Sequence, residues 1–304
     1  MPNNHKPVVL VLGVTGQFGK LVAEELRQKS DIHLKVATRQ DSQLEPLRQK
    51  YGDAVLLDLD EPRTFPNALQ GVERLFLLTG YTVAMLVQSK TITDTAVKSG
   101  LKQIVHLGVF NQPDTTDPHF AWHQMIETYV KASGIPWTNL HPNVFMQNLT
   151  GALPVVGGKV SLYCEDKKVG WVALEDVAQA ASLVLREGPS KHAGNDYWFS
   201  SESLNVHDVA RILSEATGHE FVALAKSPEQ FMEDLKKSNI EFERWYAEGA
   251  TEFFRQVVDG RMSYIAEVRS DCQKLLGRKG MTLEEWASRH KDEILRLALG
   301  EAGM

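Results

Sequence analysis

Glycines near the N-terminus have the GxxGxxG spacing of a loop that binds phosphate. A side chain at Gly16 would keep a pyrophosphate away from the backbone, and one at Gly19 would hold the following helix off its sheet. The helix's first N–H groups and its dipole then attract an anion without any basic side chain. The candidate contacts of this loop are Gly13, Thr15, Gly16, Gln17, Phe18 and Gly19. The spacing predicts a dinucleotide site, and a glycine-rich turn without a ligand is the alternative.

One basic residue lies at the position that determines which dinucleotide such a site binds. About twenty residues after such a loop, an acid binds both ribose hydroxyls of NAD, whereas an arginine suits the 2′-phosphate of NADP. Arg39 occupies this place, directly after an apolar run that ends at Thr38. Its planar guanidinium can bind a phosphate through two hydrogen bonds. This favours NADPH as the cofactor. A solvated surface charge is the alternative for Arg39, and Asp41 keeps NAD open.

Two further contacts for the same ligand follow later apolar runs. Asp58 ends the third run, where its carboxylate could accept a hydrogen bond from the adenine amino group while the backbone of Leu59 packs on the ring. A helix cap or loop acid is an equal alternative for Asp58. Thr79 and Gly80 end the fourth run, where small residues permit close approach to a ribose.

These candidate residues come at the ends of apolar runs that alternate with helical periods. Strands are predicted over 8–12, 33–38, 54–57, 74–79, 103–109 and 137–141, and helices over 17–28, 64–70, 83–99 and 118–133. This alternation is typical of a doubly wound parallel sheet, the Rossmann-type α/β fold. Because ligands of such sheets bind at the carboxyl ends of the strands, the strand ends are where the site is expected.

The pattern changes past about residue 150, where glycines and a proline interrupt it. Helices over 174–186 and 205–217, a short strand over 197–200 and amphipathic helices between 228 and 298 follow. We therefore predict a dinucleotide-binding core over 1–153. A smaller, mainly helical substrate-side lobe is predicted over 154–304, with segments near 171–200 returning to the core.

Composition limits the class of protein. The chain has 304 residues, of which 43% are hydrophobic and 24% charged, as in ordinary globular proteins. Its net charge of −6 gives no support for nucleic acid as a partner. The two cysteines, Cys164 and Cys272, form no CxxC motif and are expected to be reduced thiols. The N-terminal apolar run is too short to span a membrane. We expect a cytoplasmic protein with a small-molecule partner and leave its oligomeric state open.

The motifs together resemble the short-chain dehydrogenase/reductase superfamily and, within it, the atypical NmrA-like branch. The loop GVTGQFG is close to that branch's GATGxxG, and LHPNVFMQN at 140–148 is similar to its LRPxxFMxN signature. The resemblance implies an NADP(H)-binding protein and places Asn143 and Phe145 on the nicotinamide side. It is nearest to NADPH-dependent quinone oxidoreductases and triphenylmethane dye reductases. Redox-sensing transcriptional regulators belong to the same branch.

The usual catalytic set of the superfamily is incomplete in this chain. Ordinary members use a serine at the end of the fifth strand and a YxxxK motif on the next helix. Gly108 stands where the hydroxyl is expected, and the helix after it has no YxxxK. That helix instead carries His123 and Glu127 on one face, matching the HxxxE of the NmrA-like branch.

The resemblance implies a role for each member of the HxxxE pair. His123 takes the place of the tyrosine as proton donor, and Glu127 takes that of the lysine as the carboxylate that orients the imidazole. Polar helix residues that only pair with their neighbours are the alternative. No metal is expected, because the glutamate of HExxH is missing and hydride transfer from NADPH needs no metal.

These observations predict an NADPH-binding oxidoreductase that transfers a hydride to a quinone-like or other conjugated small molecule. Such an acceptor is already electrophilic, so positioning and exclusion of water supply most of the rate without a Ser-Tyr-Lys set. The alternative is a catalytically silent regulatory protein of the NmrA type that senses NADP(H).

Overall fold

The computed structural model describes residues 5–237 and 243–300. Its strands are β1 (Val8–Val11), β2 (His33–Thr38), β3 (Ala54–Leu56), β4 (Arg74–Leu77), β5 (Gln103–Leu107), β6 (Trp137–Pro142), β7 (Val144–Phe145), β8 (Lys159–Leu162), β9 (Val169–Val172), β10 (Asn195–Ser200), β11 (Glu202–Leu204), β12 (Val222–Ala225) and β13 (Arg269–Ser270).

The helices alternate with these strands along the first half of the chain. They are α1 (Gln17–Arg27), α2 (Leu44–Tyr51), α3 (Phe65–Ala68), α4 (Met85–Ser99), α5 (Pro118–Ala132), α6 (Leu174–Glu187), α7 (Pro189–His192), α8 (Val206–Thr217), α9 (Pro228–Lys237), α10 (Arg244–Asp259), α11 (Asp271–Leu276), α12 (Leu283–Arg289) and α13 (Lys291–Ala298).

The described chain divides into two compact units that interleave along the sequence. The first contains the residues up to Val109, Trp122–His141 and Val177–Tyr197. The second contains Phe110–Ala121, Pro142–Asp176 and the described residues from Trp198 onward. The division predicted at residue 153 stays a prediction.

A large sheet organises the first unit. Its strand order is β10-β6-β5-β4-β1-β2-β3, and the pairs from β6 to β3 are parallel. Within the second unit, β13 pairs antiparallel with the end of β10. The order reverses beside β1, because β2 lies on one side of it and β4 on the other. This Rossmann-type sheet confirms the predicted fold class and brings the carboxyl ends of β5, β4, β1, β2 and β3 to one edge.

The sequence of β1 explains its central place. Val9, Leu10 and Val11 have no exposed surface, as expected for a strand covered by helices on both faces. Leu10 belongs to an apolar cluster with residues of α3, α4 and α5. Helix α1 buries Val22, Ala23 and Leu26, the positions that its helical period predicts. The buried apolar residues of β1 and α1 thus fix the position of the glycine loop that connects them.

All six predicted strands are correct in place. Four of the predictions end one to two residues later than the observed strands β1, β3, β4 and β5, whereas β2 ends as predicted and β6 ends one residue beyond its prediction. Leu12 and Leu57 follow the ends of β1 and β3 and are 3% and 4% exposed. Both belong to the apolar cluster of the first unit. The apolar run extends past the end of each strand, because these residues stay buried although they no longer pair with a neighbouring strand.

The second unit has short sheets as well as helices. A three-stranded sheet has the order β11-β9-β7, and β8 pairs in parallel with β12. These strands are too short for a clear alternation of apolar and polar residues, so none of the five was predicted from the sequence. Helix α12 begins with a capping box of Thr282 and Glu285, and its Trp286 is fully buried.

No helix in the described ranges is both long and apolar enough to cross a membrane.

Candidate cofactor and catalytic site

The glycine loop closes through its own backbone. Gly13 has a φ of +72°, a conformation that glycine adopts readily, and its carbonyl accepts a hydrogen bond of 2.9 Å from the N–H of Gly16. Gly16 is then the extended N-cap of α1 and makes no side-chain capping bond. Because the first N–H groups of a helix have no acceptor within the helix, the first turn of α1 presents donors at the carboxyl end of β1.

Gly16 and Gly19 are constrained in different ways. A Cβ at Gly19 would lie 2.4 Å from the carbonyl of Gly13 and 2.5 Å from the oxygen of Leu12, so only glycine lets α1 pack this closely on the loop. A Cβ at Gly16 would meet nothing nearer than the Gly13 oxygen at 3.4 Å. Packing within the protein does not require a glycine at position 16. The open space there fits close approach by a pyrophosphate.

The remaining loop positions divide by exposure. Thr15 and Gln17 are exposed, whereas the Phe18 ring is buried and stacks on Phe76 with the ring centroids 5.8 Å apart. Phe18 can therefore offer its backbone to a ligand but uses its side chain to hold α1 on β4.

Arg39 lies directly after β2 and is exposed. In the described part of the chain, no carboxylate lies within ion-pair distance of its guanidinium. Asp41 begins a short 3-10 helix two residues later and is also exposed. A guanidinium that is not neutralised by the protein suits a ligand phosphate.

Asp58 organises its own loop. Its Oδ1 accepts a hydrogen bond of 3.0 Å from the N–H of Asp60, and its backbone N–H donates to Thr64 Oγ1 at 3.1 Å. The loop-acid interpretation therefore has direct contacts in its favour, while contact with adenine stays a prediction. Leu59 is partly buried and packs against the apolar cluster of the first unit.

Thr79 and Gly80 follow β4 at the adjoining strand end. Thr79 is half-buried and Gly80 is exposed, and a Cβ at Gly80 would meet only Thr82 at 4.0 Å. Leu78, just before them, fills the space beside Gly13, where a Cβ would lie 2.5 Å from its Cδ2. The ends of β4 and β1 thus pack directly on each other.

Helix α5 buries both members of the predicted catalytic pair. His123 is 7% exposed and Glu127 is 6% exposed. The His123 ring lies 5.5 Å from the ring of His106 on β5. Glu127 reaches the end of β5, where a Cβ at Gly108 would lie 2.8 Å from its Oε1. The Glu127 carboxylate thus lies in the space that a side chain at position 108 would enter, and it would have to shift for a serine there.

A charged network behind Glu127 was not predicted from the sequence. The His141 ring on β6 has its Nδ1 2.9 Å from the carbonyl of Val109 and 3.6 Å from Glu127 Oε1, and its Nε2 3.0 Å from Asp196 Oδ1. Asn139 also donates to Asp196 Oδ1, at 2.8 Å. Polar residues at alternate positions of a predicted buried strand, Asn139 and His141, were the available signal.

Asn143 and Phe145 belong to the second unit. The Nδ2 of Asn143 donates to the carbonyl of Ile265 at 2.8 Å, and its Oδ1 accepts from the N–H of Val144 at 2.9 Å. The adjacent strand must carry glycine, since a Cβ at Gly170 would lie 2.2 Å from that Nδ2. The Asn143 amide thus supports the fold of its own unit. Phe145 is half-buried, and contact of either residue with nicotinamide stays a prediction.

The sheet order, the glycine-constrained turn and the helix that starts behind it define a Rossmann-type dinucleotide-binding fold. The model of the NmrA-like family matches residues 5–287. The chain therefore belongs to the NmrA-like family, as its motifs predicted.

Known proteins resemble the chain over nearly its whole length. An NAD(P)H azoreductase of Xenophilus azovorans is 27% identical over 287 residues, which cover 93% of this chain and 98% of the relative. A Citrobacter sp. triphenylmethane reductase, solved with NADP(H), has a TM-score of 0.79 at 21% identity, with 94% and 99% of the two chains covered. NmrA, a negative transcriptional regulator solved with NAD, has a TM-score of 0.76 at 16% identity, with 98% of each chain covered. At such identities the structural matches show the fold alone.

Proposed function

We propose that the protein is an NADPH-dependent reductase of conjugated small-molecule acceptors such as azo compounds, quinones and cationic dyes. The observation that carries this proposal is the glycine loop. Gly19 is required by packing, whereas the space at Gly16 is left open at the N-terminus of α1. That arrangement fits a pyrophosphate, and the exposed Arg39 at the neighbouring strand end fits the 2′-phosphate of NADPH.

The relatives support the chemical class of the acceptor. The azoreductase and the triphenylmethane reductase are named for the reduction of azo and triphenylmethane compounds, both of which are conjugated. In the proposal, an acceptor of this class takes up a hydride. Bound NADPH would supply that hydride. In the proposal His123 donates a proton: its ring N–H bond breaks, the new bond forms on the reduced acceptor, and His123 is left as neutral imidazole.

We also place this reaction in the cytoplasm, since both cysteines are free and buried thiols.

The experiment is a panel assay of NADPH oxidation with quinones, azo dyes, triphenylmethane dyes and simple ketones. We expect turnover of the conjugated acceptors and none of the ketones. His123→Ala should lower kcat by roughly 100-fold or more, the usual contribution of a positioned acid. Unchanged turnover in His123→Ala would remove His123 from the mechanism.

A second candidate is a regulator that senses NADP(H) without turnover. Two observations favour it: the match to NmrA over the whole chain, and Gly108 at the place of the catalytic serine. Tight NADPH binding with no oxidation by any acceptor of the panel would establish this candidate in place of the reductase.

A further inference from the structure

The contact between α5 and the sheet is polar where such contacts are ordinarily apolar. Strands covered by helices in a parallel sheet consist mainly of Val, Ile and Leu. Here polar side chains of β5, β6, β10 and α5 come together. The buried ones are His106, Asn139, His141, His123 and Glu127, and the half-buried Asp196 joins them from β10. Burying this many polar groups costs free energy unless they bind one another.

His141 lies at the centre of these groups and is 1% exposed. Its Nδ1 is 2.9 Å from the Val109 carbonyl and its Nε2 is 3.0 Å from Asp196 Oδ1. A carbonyl and a carboxylate can only accept hydrogen bonds. The ring therefore satisfies both partners only as the imidazolium, with a proton on each nitrogen.

The groups around His141 agree with a positive charge on the ring. Burial raises the pKa of Asp196, but hydrogen bonds from His141 and Asn139 outweigh burial and bring the pKa below its usual value. Lys131, on α5, adds an ion pair with Asp196 at 3.4 Å. On β5, burial first and the charge of His141 second lower the pKa of His106 to about 3. His106 is therefore neutral, and the two acceptors of the His141 ring assign the positive charge of the network to that residue.

Glu127 depends on that charge. Its carboxylate is buried beside Gly108, and a buried carboxylate without a cationic neighbour takes up a proton. His141 Nδ1, at 3.6 Å from Oε1, provides the cation. On α5, Glu127 stands four residues after His123 and thus one helical turn from the proposed proton donor.

We propose that His141, held by Asp196, is a positioning residue that keeps Glu127 ionised beside Gly108, so that His123 has an anionic neighbour when it donates its proton. This proposal rests on the proposed function only for its last step. The ionisation of Glu127 can be measured without any substrate.

The test compares His141→Gln with His192→Gln as a matched control. His192 is also a buried histidine of the first unit, with its Nε2 3.0 Å from Glu187 and its Nδ1 2.9 Å from the Tyr197 hydroxyl. Both variants should lower the melting temperature, because each removes a buried histidine that hydrogen-bonds a carboxylate. Only His141→Gln should move the acid limb of the kcat profile, by roughly one pH unit or more to higher pH. The KM for NADPH should stay the same in both.

Infrared difference spectroscopy of the substrate-free protein gives the second readout. At neutral pH, His141→Gln should show a protonated carboxyl band in addition to the carboxyl absorption of the wild type, including that of Asp117. The double variant Glu127→Gln/His141→Gln should lack this additional band. Absence of that band overturns the proposal even where the enzyme turns over. If no acceptor of the panel is reduced, the reductase is overturned instead, and the infrared result still decides the state of Glu127.

The metal content of the wild type and of His141→Gln separates the proposal from a metal site. In the described part of the chain, Glu127, His141 and Asp196 are also close enough to hold a metal ion, with their ligand atoms within 4.8 Å of one another. A metal would need one of the ring nitrogens of His141 without its proton. Stoichiometric metal in the purified wild type that is lost in His141→Gln would overturn the imidazolium.

Discussion

Arg39 is the residue on which the choice between NADPH and NADH depends. It is exposed, it follows β2 directly, and the described chain offers no acid to neutralise it. Arg39→Ala should weaken NADPH binding by roughly 10- to 100-fold, the range of one or two charge-assisted hydrogen bonds, and leave NADH binding unchanged. Dissociation constants from fluorescence titration measure both.

Arg27→Ala is the control for this substitution. Arg27 stands in the last turn of α1, at the opposite end from the glycine loop, and pairs with Glu24 at 3.1 Å. It should bind both cofactors as the wild type does. The proposal requires that the wild type bind NADPH more tightly than NADH and that Arg39→Ala lose this preference. A wild type that binds both cofactors equally contradicts the proposal and favours Asp41 as a contact of NAD.

Single residues also mark the limit of what the sequence can predict. The spacing of the glycines predicted the loop because backbone geometry alone requires it. Gly108 was recognised only as a missing hydroxyl, whereas the structure shows that Glu127 from α5 fills its place. Asp196 received no role at all, since 55 positions separate it from His141, its hydrogen-bond partner. Contacts between distant segments have no periodic signal.

At the scale of the element, substitution by alanine should affect stability differently at two glycines of the α1 segment. Gly19→Ala places a Cβ 2.4 Å from backbone atoms of Gly13, which cannot move away without displacing the helix. We expect it to destabilise the fold by roughly 1–3 kcal/mol, the usual cost of overpacking. Chemical denaturation measures the change.

Gly16→Ala is the counterpart and the control. Its Cβ has space, and the extended backbone at φ −95° and ψ 174° accepts alanine. The variant should unfold like the wild type within about 0.5 kcal/mol. It should nevertheless bind NADPH at least roughly tenfold more weakly, because the methyl group keeps the pyrophosphate from the backbone. Normal binding by Gly16→Ala would place the pyrophosphate elsewhere.

The elements themselves were more predictable in the first unit than in the second. Long parallel strands and helices such as β5 and α4 give apolar runs and helical periods that can be read without the structure. In the second unit, β7 has two residues and β11 has three, and their residues are only partly buried. A strand that short is fixed by its pairing with β9, which the local sequence does not show.

At the scale of the whole molecule, one buried carboxyl should make stability depend on pH. Asp117 is fully buried at the N-terminus of α5, where its Oδ1 accepts a hydrogen bond of 2.9 Å from the N–H of Phe120. Its Oδ2 has no hydrogen-bond partner in the described ranges. Burial, followed by the nearby charge of Glu252, raises the pKa of this carboxyl from 3.8 to about 7.

The direction of the pH effect follows from this raised pKa. Below about pH 4, Asp117 is protonated in both the folded and the unfolded chain, so its contribution to stability is complete. As the pH rises toward 7, the unfolded chain loses this proton while the folded chain keeps it, and the free energy of unfolding falls. The loss is roughly 2–4 kcal/mol by neutral pH.

Asp117→Asn should remove this part of the pH dependence. Asparagine caps a helix as well as aspartate does and carries no titrating group. We therefore expect the variant to be more stable than the wild type at pH 7 and to differ little from it near pH 4, as measured by urea unfolding across that range. Asp208→Asn, in the capping box of α8, is the control for replacing a capping aspartate by asparagine. If Asp117→Asn and the wild type lost stability in parallel between pH 4 and pH 7, the carboxyl of Asp117 would be ionised in the folded protein.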